Sequence, residues 1–183
     1  QINSASQLRC LLFGNGAQLE RAIIDALATI GFSATNYRDA DSEFDVIFES
    51  TEGRLLGEAE GKDSKAVNVD KLRQLSMNIH EDLKREDVEK PAKGVLFGNG
   101  YRLVAPSGRQ VQFTDKCISA AKSMSIALVA TSDLYKVARY IRDNDDADFA
   151  ARCRALLITS VGIVEFPKIP ISCPQIGGET FSN

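Results

Sequence analysis

The sequence has few residues of the kinds that hold zinc. It contains one histidine, His80, and four cysteines that are widely separated and form no CxxC pair. Because zinc sites are built from clustered Cys and His ligands, this pattern argues against a zinc site. The cysteines are better interpreted as small buried apolar residues in a reducing compartment than as a disulfide framework. They are Cys10, Cys117, Cys153 and Cys173.

Long apolar runs and an excess of positive charge are also missing. No stretch reaches the roughly 18 consecutive apolar residues of a membrane-spanning helix, so we expect no membrane association. The formal net charge is −3, which does not indicate a protein that coats nucleic acid through bulk charge. The first residues resemble no signal peptide and include no initiator methionine. We therefore expect a cytoplasmic protein and a fragment of a longer chain that carries further domains.

The composition and the residue pattern predict one α/β domain. With 183 residues, 44% hydrophobic and 26% charged, the chain can bury a core of ordinary size. Helical and alternating periodicities follow one another in an order that predicts a layered domain with a mixed sheet. The core covers about 10–166, and an irregular tail follows over 167–183. The predicted helices are 11–32, 68–86, 113–125, 132–144 and 146–159, and the predicted strands are 43–50, 54–62, 93–100, 126–131 and 163–167.

A row of charged residues on the predicted hairpin is the main functional signal. In the segment GRLLGEAEGKDSK, residues 53–65, Glu58, Glu60 and Lys62 stand two positions apart and would point to one side of a strand. Asp45 lies on the preceding strand, where we expect it on the face opposite Phe44, Val46 and Phe48. A tight hairpin would bring Asp45 close to the two glutamates.

Carboxylates gathered in this way repel one another unless a cation neutralises them. Oxygen ligands on a strand suit Mg²⁺ or Mn²⁺, and a nearby lysine can orient water or stabilise developing charge. We therefore expect an apparatus for the hydrolysis of phosphodiester bonds. The alternative is that Glu58, Glu60 and Lys62 form the solvated face of an edge strand, where charges oppose aggregation.

The order of these elements resembles the PD-(D/E)XK nuclease superfamily, whose members have the restriction-endonuclease-like fold. That pattern has a helix with an acid, then a hairpin with Asp and E-x-K, then helix, strand and helix. Here GAQLERAIIDALATIGF carries Glu20, EFDVIF carries Asp45, LLGEAEGK carries the E-x-K region and KLRQL carries Gln74. The resemblance implies a three-layer α/β/α core with a mixed sheet. It also implies Mg²⁺-dependent cleavage of DNA, in defence against foreign DNA or in repair, and cleavage of both strands would favour a homodimer.

Two registers of the motif stay open. If Glu60 is the acid, the triplet is Glu60-Gly61-Lys62, an ordinary E-x-K. If Glu58 is the acid, the triplet is Glu58-Ala59-Glu60, and glutamate replaces the lysine. The resemblance implies that the metal is held by Asp45 with Glu58 or Glu60 and assisted by Glu20, and that Lys62 or Glu60 positions the water.

Other readings of the same residues are less specific. A catalytically silent nucleic-acid-binding or assembly module of the same fold would keep these acids without using them. The turn sequence Phe13-Gly-Asn-Gly opens a predicted helix and suggests a phosphate cradle, although it lacks the lysine of a P-loop. Arg102, Arg109 and Lys116 are candidates for contact with DNA phosphates, or ordinary solvated charges.

Overall fold

The structure is a computed structural model that describes residues 4–38 and 43–170. Its centre is one six-stranded sheet whose strands are neighbours in the order of the chain. The first three strands are antiparallel, and β3, β4, β5 and β6 run parallel to one another. The strands are β1 Ser33–Arg38, β2 Glu43–Ser50, β3 Gly53–Gly61, β4 Lys93–Asn99, β5 Ala127–Ala130 and β6 Gly162–Ile163.

Helices cover both faces of the sheet. One layer contains α3 and α6, which pack on each other and on the sheet, and the opposite layer contains α4 and α5. The helices are α1 Ser4–Leu8, α2 Cys10–Phe13, α3 Gly16–Ile30, α4 Asp70–Asp82, α5 Asp115–Ser123, α6 Thr131–Asn144 and α7 Ala147–Thr159. This arrangement confirms the predicted three-layer α/β/α architecture with a mixed sheet.

The apolar core has two halves, one on each side of the sheet. Alternate residues of β3 and β4 supply both halves: Leu55 and Phe97 face α3 and α6, whereas Leu56 and Leu96 face α4 and α5. The central strand β4 is buried on both faces, as its continuous apolar sequence predicts. The sheet is therefore a rigid support for side chains at the carboxyl end of β3.

Local sequence signals place several helix ends correctly. Gly31 ends α3 in the left-handed conformation at φ 99°, which glycine adopts without strain. Thr114 caps α5 by accepting a hydrogen bond from the Cys117 backbone N–H, and Asp146 caps α7 through the Phe149 N–H.

The structure also differs from the predicted elements. The predicted helix 11–32 is broken at Gly14 and Asn15 into α2 and α3. The edge strand β1 was not predicted, because its exposed sequence SATNYR has no apolar alternation. Residues 164–170 contain no regular element, and 171–183 of the predicted tail, with Cys173, lie outside the described residues.

Two further features concern the class of protein. Within residues 4–38 and 43–170, no helix is both long and apolar enough to cross a bilayer. Cys10, Cys117 and Cys153 are free thiols, and burial raises the pKa of Cys117 to about 11 and that of Cys153 to about 12.

Candidate functional site

The candidate site lies where β2 and β3 separate. The backbone pairing of the two strands ends at Val46 and Gly57. Beyond this pair, the side chain of Asp45 accepts the hydrogen bond from β3 in place of the backbone. The Ala59 backbone N–H donates a hydrogen bond of 2.8 Å to Asp45 Oδ2. A side-chain carboxylate therefore stands in the gap between the strands, next to the residues that follow Gly57.

A shift of register in β2 aims Asp45 at this gap. The pairing of β1 with β2 is irregular between Thr35 and Tyr37, where β2 has one extra residue. As a result Phe44 packs in the α4 half of the core, whereas Val46 and Phe48 pack in the α3 half. The expectation that these three aromatic and aliphatic residues share one face was wrong, because a strict alternation does not allow for the extra residue.

Glu58 is the buried acid of the site. Its side chain is 0% exposed and lies between β3 and α4. Asn78 Nδ2 donates to Glu58 Oε1 at 2.7 Å and approaches the Glu43 carbonyl at 3.4 Å. Burial, and then the negative charge of Asp45, raise the pKa of Glu58 to about 7. The protein thus keeps an acid where ionisation is unfavourable, which is common at functional sites.

Lys71, on the first turn of α4, supplies the positive charge nearest to Glu58. Its Nζ donates to Glu58 Oε2 at 3.2 Å and to Gln74 Oε1 at 3.0 Å, and lies 3.9 Å from Glu60 Oε2. Burial alone would lower the pKa of Lys71, but the charges of Glu58 and Asp45 outweigh it, so the pKa is raised. Lys71 is therefore a protonated ammonium at neutral pH.

The outer part of the site contains Glu60 and Lys62, which form an ion pair with each other. Both are partly exposed, with 17% and 27% of their side chains accessible. The predicted row of Glu58, Glu60 and Lys62 thus exists, but its members differ: Glu58 is enclosed, and the other two lie at the entrance. Gln74 is exposed and reaches the site through Lys71.

Glu20 approaches from the opposite helical layer. It lies on α3 and is partly buried, and its pKa is raised by burial and then by the charges of Asp45 and Glu43. The charge of Asp45 raises the pKa of Glu20 as well as that of Glu58, so both acids lie within electrostatic range of Asp45.

The cluster has more negative than positive groups. Glu20, Asp45, Glu58 and Glu60 face only Lys62 and Lys71 within the set of site residues. Among residues 4–38 and 43–170, no three or more His, Cys, Asp or Glu side chains form a ready ligand set for a metal. The donors are nonetheless all oxygens, and Mg²⁺ is commonly held by only one or two carboxylates together with water and substrate phosphate. This chemistry fits a pair such as Asp45 and Glu58.

Sequence reasoning missed Lys71 and Asn78, both of which contact Glu58. On α4 they are seven residues apart, which is two turns, so they lie on the same face of the helix as Gln74. A polar stripe at positions 71, 74 and 78 beside the apolar Leu72 and Leu75 was the available signal. That signal identifies a helix face, but not the strand that the face covers.

The two nearly identical segments LLFGNG and VLFGNG meet beside the site. Asn99 Nδ2, from the second segment, donates to the Gly14 carbonyl at 2.8 Å. A Cβ atom at Gly61 would lie 2.9 Å from Asn15 Cβ, so glycine is needed there for the first segment to pack against the end of β3. Within the predicted phosphate cradle, the Gly14 carbonyl therefore accepts a hydrogen bond that holds the two segments together.

The geometry of the sheet and its helices defines the class of fold: the chain has a restriction-endonuclease-like fold. Among solved structures, the restriction endonuclease FokI is similar, with a TM-score of 0.58 over 88% of this chain and 31% of the FokI chain, at 9% sequence identity. At this identity the likeness shows the fold alone.

A second solved structure, protein VC1899 from Vibrio cholerae, has a TM-score of 0.43 at 16% identity, over 72% of this chain and 34% of that one. At this TM-score it adds nothing to the assignment. The chain spans about a third of each of these two structures. No protein-family model matches the sequence, and no curated protein matches it either.

Proposed function

We propose that the chain is a metal-dependent nuclease that hydrolyses phosphodiester bonds of DNA. The observation that carries the proposal is the buried Glu58 beside Asp45, at the point where β2 and β3 separate. A stability requirement alone would not favour two repelling acids there. The likeness to a structure named as a restriction endonuclease supports the same choice.

In this proposal Asp45 and Glu58 would hold Mg²⁺ or Mn²⁺. The ion would supply Lewis acidity for the phosphate and a lower pKa for a bound water. Asn78 fixes one oxygen of Glu58 through its 2.7 Å hydrogen bond, and Lys71 donates to the other oxygen at 3.2 Å. The metal-binding pair is therefore held by the sheet and by α4 together.

Lys71 has the clearest role among the cations. Because its pKa is raised, it acts as a fixed positive charge rather than as a base that removes a proton. An ammonium at this place stabilises negative charge that develops on the phosphate oxygens during attack. This assignment favours the register Glu58-Ala59-Glu60, with the lysine supplied from α4 instead of from Lys62.

A cleavage assay tests the proposal. The purified chain is incubated with linear, circular and single-stranded DNA and with RNA in Mg²⁺ or Mn²⁺, with EDTA as a control. The variants are Asp45→Ala and the double change Glu58→Ala with Glu60→Ala. Asp143→Ala, an exposed acid on α6, is the matched control.

We expect metal-dependent cutting that is lost in both site variants and kept in Asp143→Ala. Cutting that persists in the site variants would identify a contaminating nuclease. The absence of cutting in the wild-type chain under all conditions would contradict the proposal and favour a silent module of the same fold.

A further inference from the structure

Lys71 shares the buried acid of the site with Asn78, one donor on each oxygen. Lys71 Nζ donates to Glu58 Oε2 at 3.2 Å, and Asn78 Nδ2 donates to Glu58 Oε1 at 2.7 Å. Asn78 is 8% exposed, whereas 26% of the Lys71 side chain is accessible. Oε2 therefore carries the more accessible of the two donors, and this donor is a cation.

The charge of Lys71 acts on the other acids of the cluster as well. Burial raises the pKa of Glu20 and of Glu58, and the charge of Lys71 opposes this rise in both. Burial alone would lower the pKa of Lys71, but the charges of Glu58, Asp45 and Glu60 raise it. Glu60 Oε2 lies 3.9 Å from Lys71 Nζ. One ammonium is thus shared by four acids.

This ammonium balances the cluster only in part. When the four acids are ionised, they carry two more negative charges than the two lysines of the site neutralise; the acids are Glu20, Asp45, Glu58 and Glu60, and the lysines are Lys62 and Lys71. The missing charge equals that of one divalent ion. Carboxylate oxygens suit Mg²⁺ and Mn²⁺, so such an ion is a more complete counter-ion than the ammonium.

A divalent ion and the ammonium would repel each other on the same oxygen of Glu58. Mg²⁺ binds carboxylate oxygens at about 2.0–2.1 Å. The Lys71 ammonium is 3.2 Å from Glu58 Oε2, and the repulsion between two cations this close is poorly screened beside a buried carboxylate. Because Lys71 has a flexible four-carbon stem, it is the group that can move away.

Gln74 offers the ammonium a second acceptor. Lys71 Nζ donates to Gln74 Oε1 at 3.0 Å, and Gln74 is exposed. The two residues are three positions apart on α4 and therefore lie on the same face of the helix. An amide oxygen keeps the ammonium near the site without neutralising it. An ammonium that has lost its carboxylate partner can then bind a phosphodiester, which carries one negative charge.

We propose that Lys71 is an internal counter-ion, which a divalent ion displaces from Glu58 and which then binds the phosphate of the substrate. The consequence is an order of binding, with the metal ion first and the phosphodiester second. This inference rests on the proposed function for the metal ion and the substrate class. The release of Lys71 is nevertheless measurable without any cleavage.

Acetylation of the lysines, read by mass spectrometry, tests this release. The full chain is treated briefly with the N-hydroxysuccinimide ester of acetic acid in EDTA or in millimolar Mg²⁺, and the rate is measured for each lysine. Lys136, which pairs with Asp133 on α6 and is 63% exposed, is the control lysine. Asp45→Asn removes a charge of the proposed metal site, and Asp87→Asn, on a 70% exposed acid, is its matched control.

We expect Lys71 to react about tenfold faster in Mg²⁺ than in EDTA, as for the loss of one hydrogen bond to a charged group. Lys136 should react equally under both conditions. Asp87→Asn should behave as wild type, whereas Lys71 in Asp45→Asn should keep the EDTA rate in Mg²⁺. At least one of single-stranded and duplex DNA should slow the reaction of Lys71 again in Mg²⁺, and neither should do so in EDTA.

Three results would overturn the inference. The first is a Lys71 rate that Mg²⁺ does not change, and the second is a rate that Mg²⁺ raises equally in Asp45→Asn. The third is DNA that protects Lys71 in EDTA as well as in Mg²⁺, or under neither condition, because the order of binding would then be absent.

The cleavage assay separates this inference from the proposed function. Metal-dependent cutting without release of Lys71 would leave the nuclease function standing and remove the counter-ion. Release of Lys71 by Mg²⁺ and its protection by DNA, without cutting of any substrate, would do the reverse.

Discussion

The two ends of α4 meet β3 through ion pairs of opposite character. At the carboxyl end of the helix, Arg54 and Asp82 form a bidentate pair in which Arg54 Nη2 donates to Asp82 Oδ1 at 2.8 Å. The Asp82 side chain is 0% exposed, and Arg85 lies 3.5 Å from it. At the amino end, Glu58 is equally buried, but it shares Lys71 with Glu60 and faces the charge of Asp45.

The difference is one of charge balance. Around Asp82 each acid has a cation, and the hydrogen bond to Asp82 raises the pKa of Arg54 despite its burial. Around Glu58 the acids outnumber the cations, and burial raises the pKa of Glu58 to about 7. An acid whose charge is balanced by arginines, as at Asp82, holds the helix on the sheet. A cluster in which acids outnumber cations, as at Glu58, attracts a further cation. The first end of α4 thus stabilises the packing of the helix on the sheet, and the second end is the one at which we propose the chemistry.

The largest effect should come from exchanging the two candidate lysines for methionine, one at a time. Lys71→Met should lower the cleavage rate by about 100-fold or more, because it removes a charge that stabilises the transition state. Lys62→Met, which removes a partner of Glu60 at the entrance, should change it only a few-fold. Rates on a labelled oligonucleotide in Mg²⁺ measure both. The opposite ranking would restore the triplet Glu60-Gly61-Lys62.

At the other end of α4 we expect a loss of stability instead. Asp82→Ala leaves Arg54 without its partner and should reduce the free energy of unfolding by about 3 kcal/mol, the lower part of the range for breaking a buried pair, because Arg54 is 24% exposed. Asp87→Ala is the matched control, since its carboxylate is 70% exposed and a surface pair contributes less than about 1 kcal/mol. Urea unfolding gives both values. Equal losses in the two variants would mean that the Arg54 pair is not structural.

A smaller effect concerns pH and Glu58. The pKa of Glu58 is raised from 4.5 to about 7 in the folded chain, so the folded state binds the proton more tightly than the unfolded state. The contribution of Glu58 to stability is therefore greatest below about pH 4.5 and is lost as the pH rises to about 7. Glu58→Gln should remove this fall and gain about 2 kcal/mol over wild type at pH 8, while it abolishes cleavage.

Unfolding curves between about pH 5 and 8 measure the slope. The exposed Glu89→Gln serves as control and should leave the slope unchanged. A wild-type slope that persists in Glu58→Gln would assign the titration to another group.

Much of the fold could be predicted because its signals are local. The hairpin strand Glu43–Ser50 agrees with the prediction residue for residue, since alternation and turn residues define it. The edge strand β1 was missed because its polar sequence has no signal of its own, and its pairing with β2 alone makes it a strand.

The site could be predicted only in part. Asp45, Glu58 and Glu60 could be predicted from the sequence, because their spacing along the two strands of a hairpin brings them together. Lys71 and Asn78 could not be predicted, because their contacts with Glu58 depend on how α4 crosses β3. These two residues lie 13 and 20 positions away from Glu58 in the sequence. The sequence also could not show that Glu58 is more deeply buried than Glu60, since burial depends on tertiary packing and not on the neighbouring residues in the sequence.

The excess of acids around Glu58, where β3 meets the amino end of α4, should attract a further cation. Calorimetric titration of the chain with Mn²⁺ at about pH 8, where Glu58 is ionised, tests it directly. The wild-type chain and Asp87→Asn should give the same heat of binding, and Asp45→Asn should give none. No heat from the wild-type chain at millimolar Mn²⁺, or equal heat from Asp45→Asn, would contradict the assignment of the cluster as a metal-dependent centre.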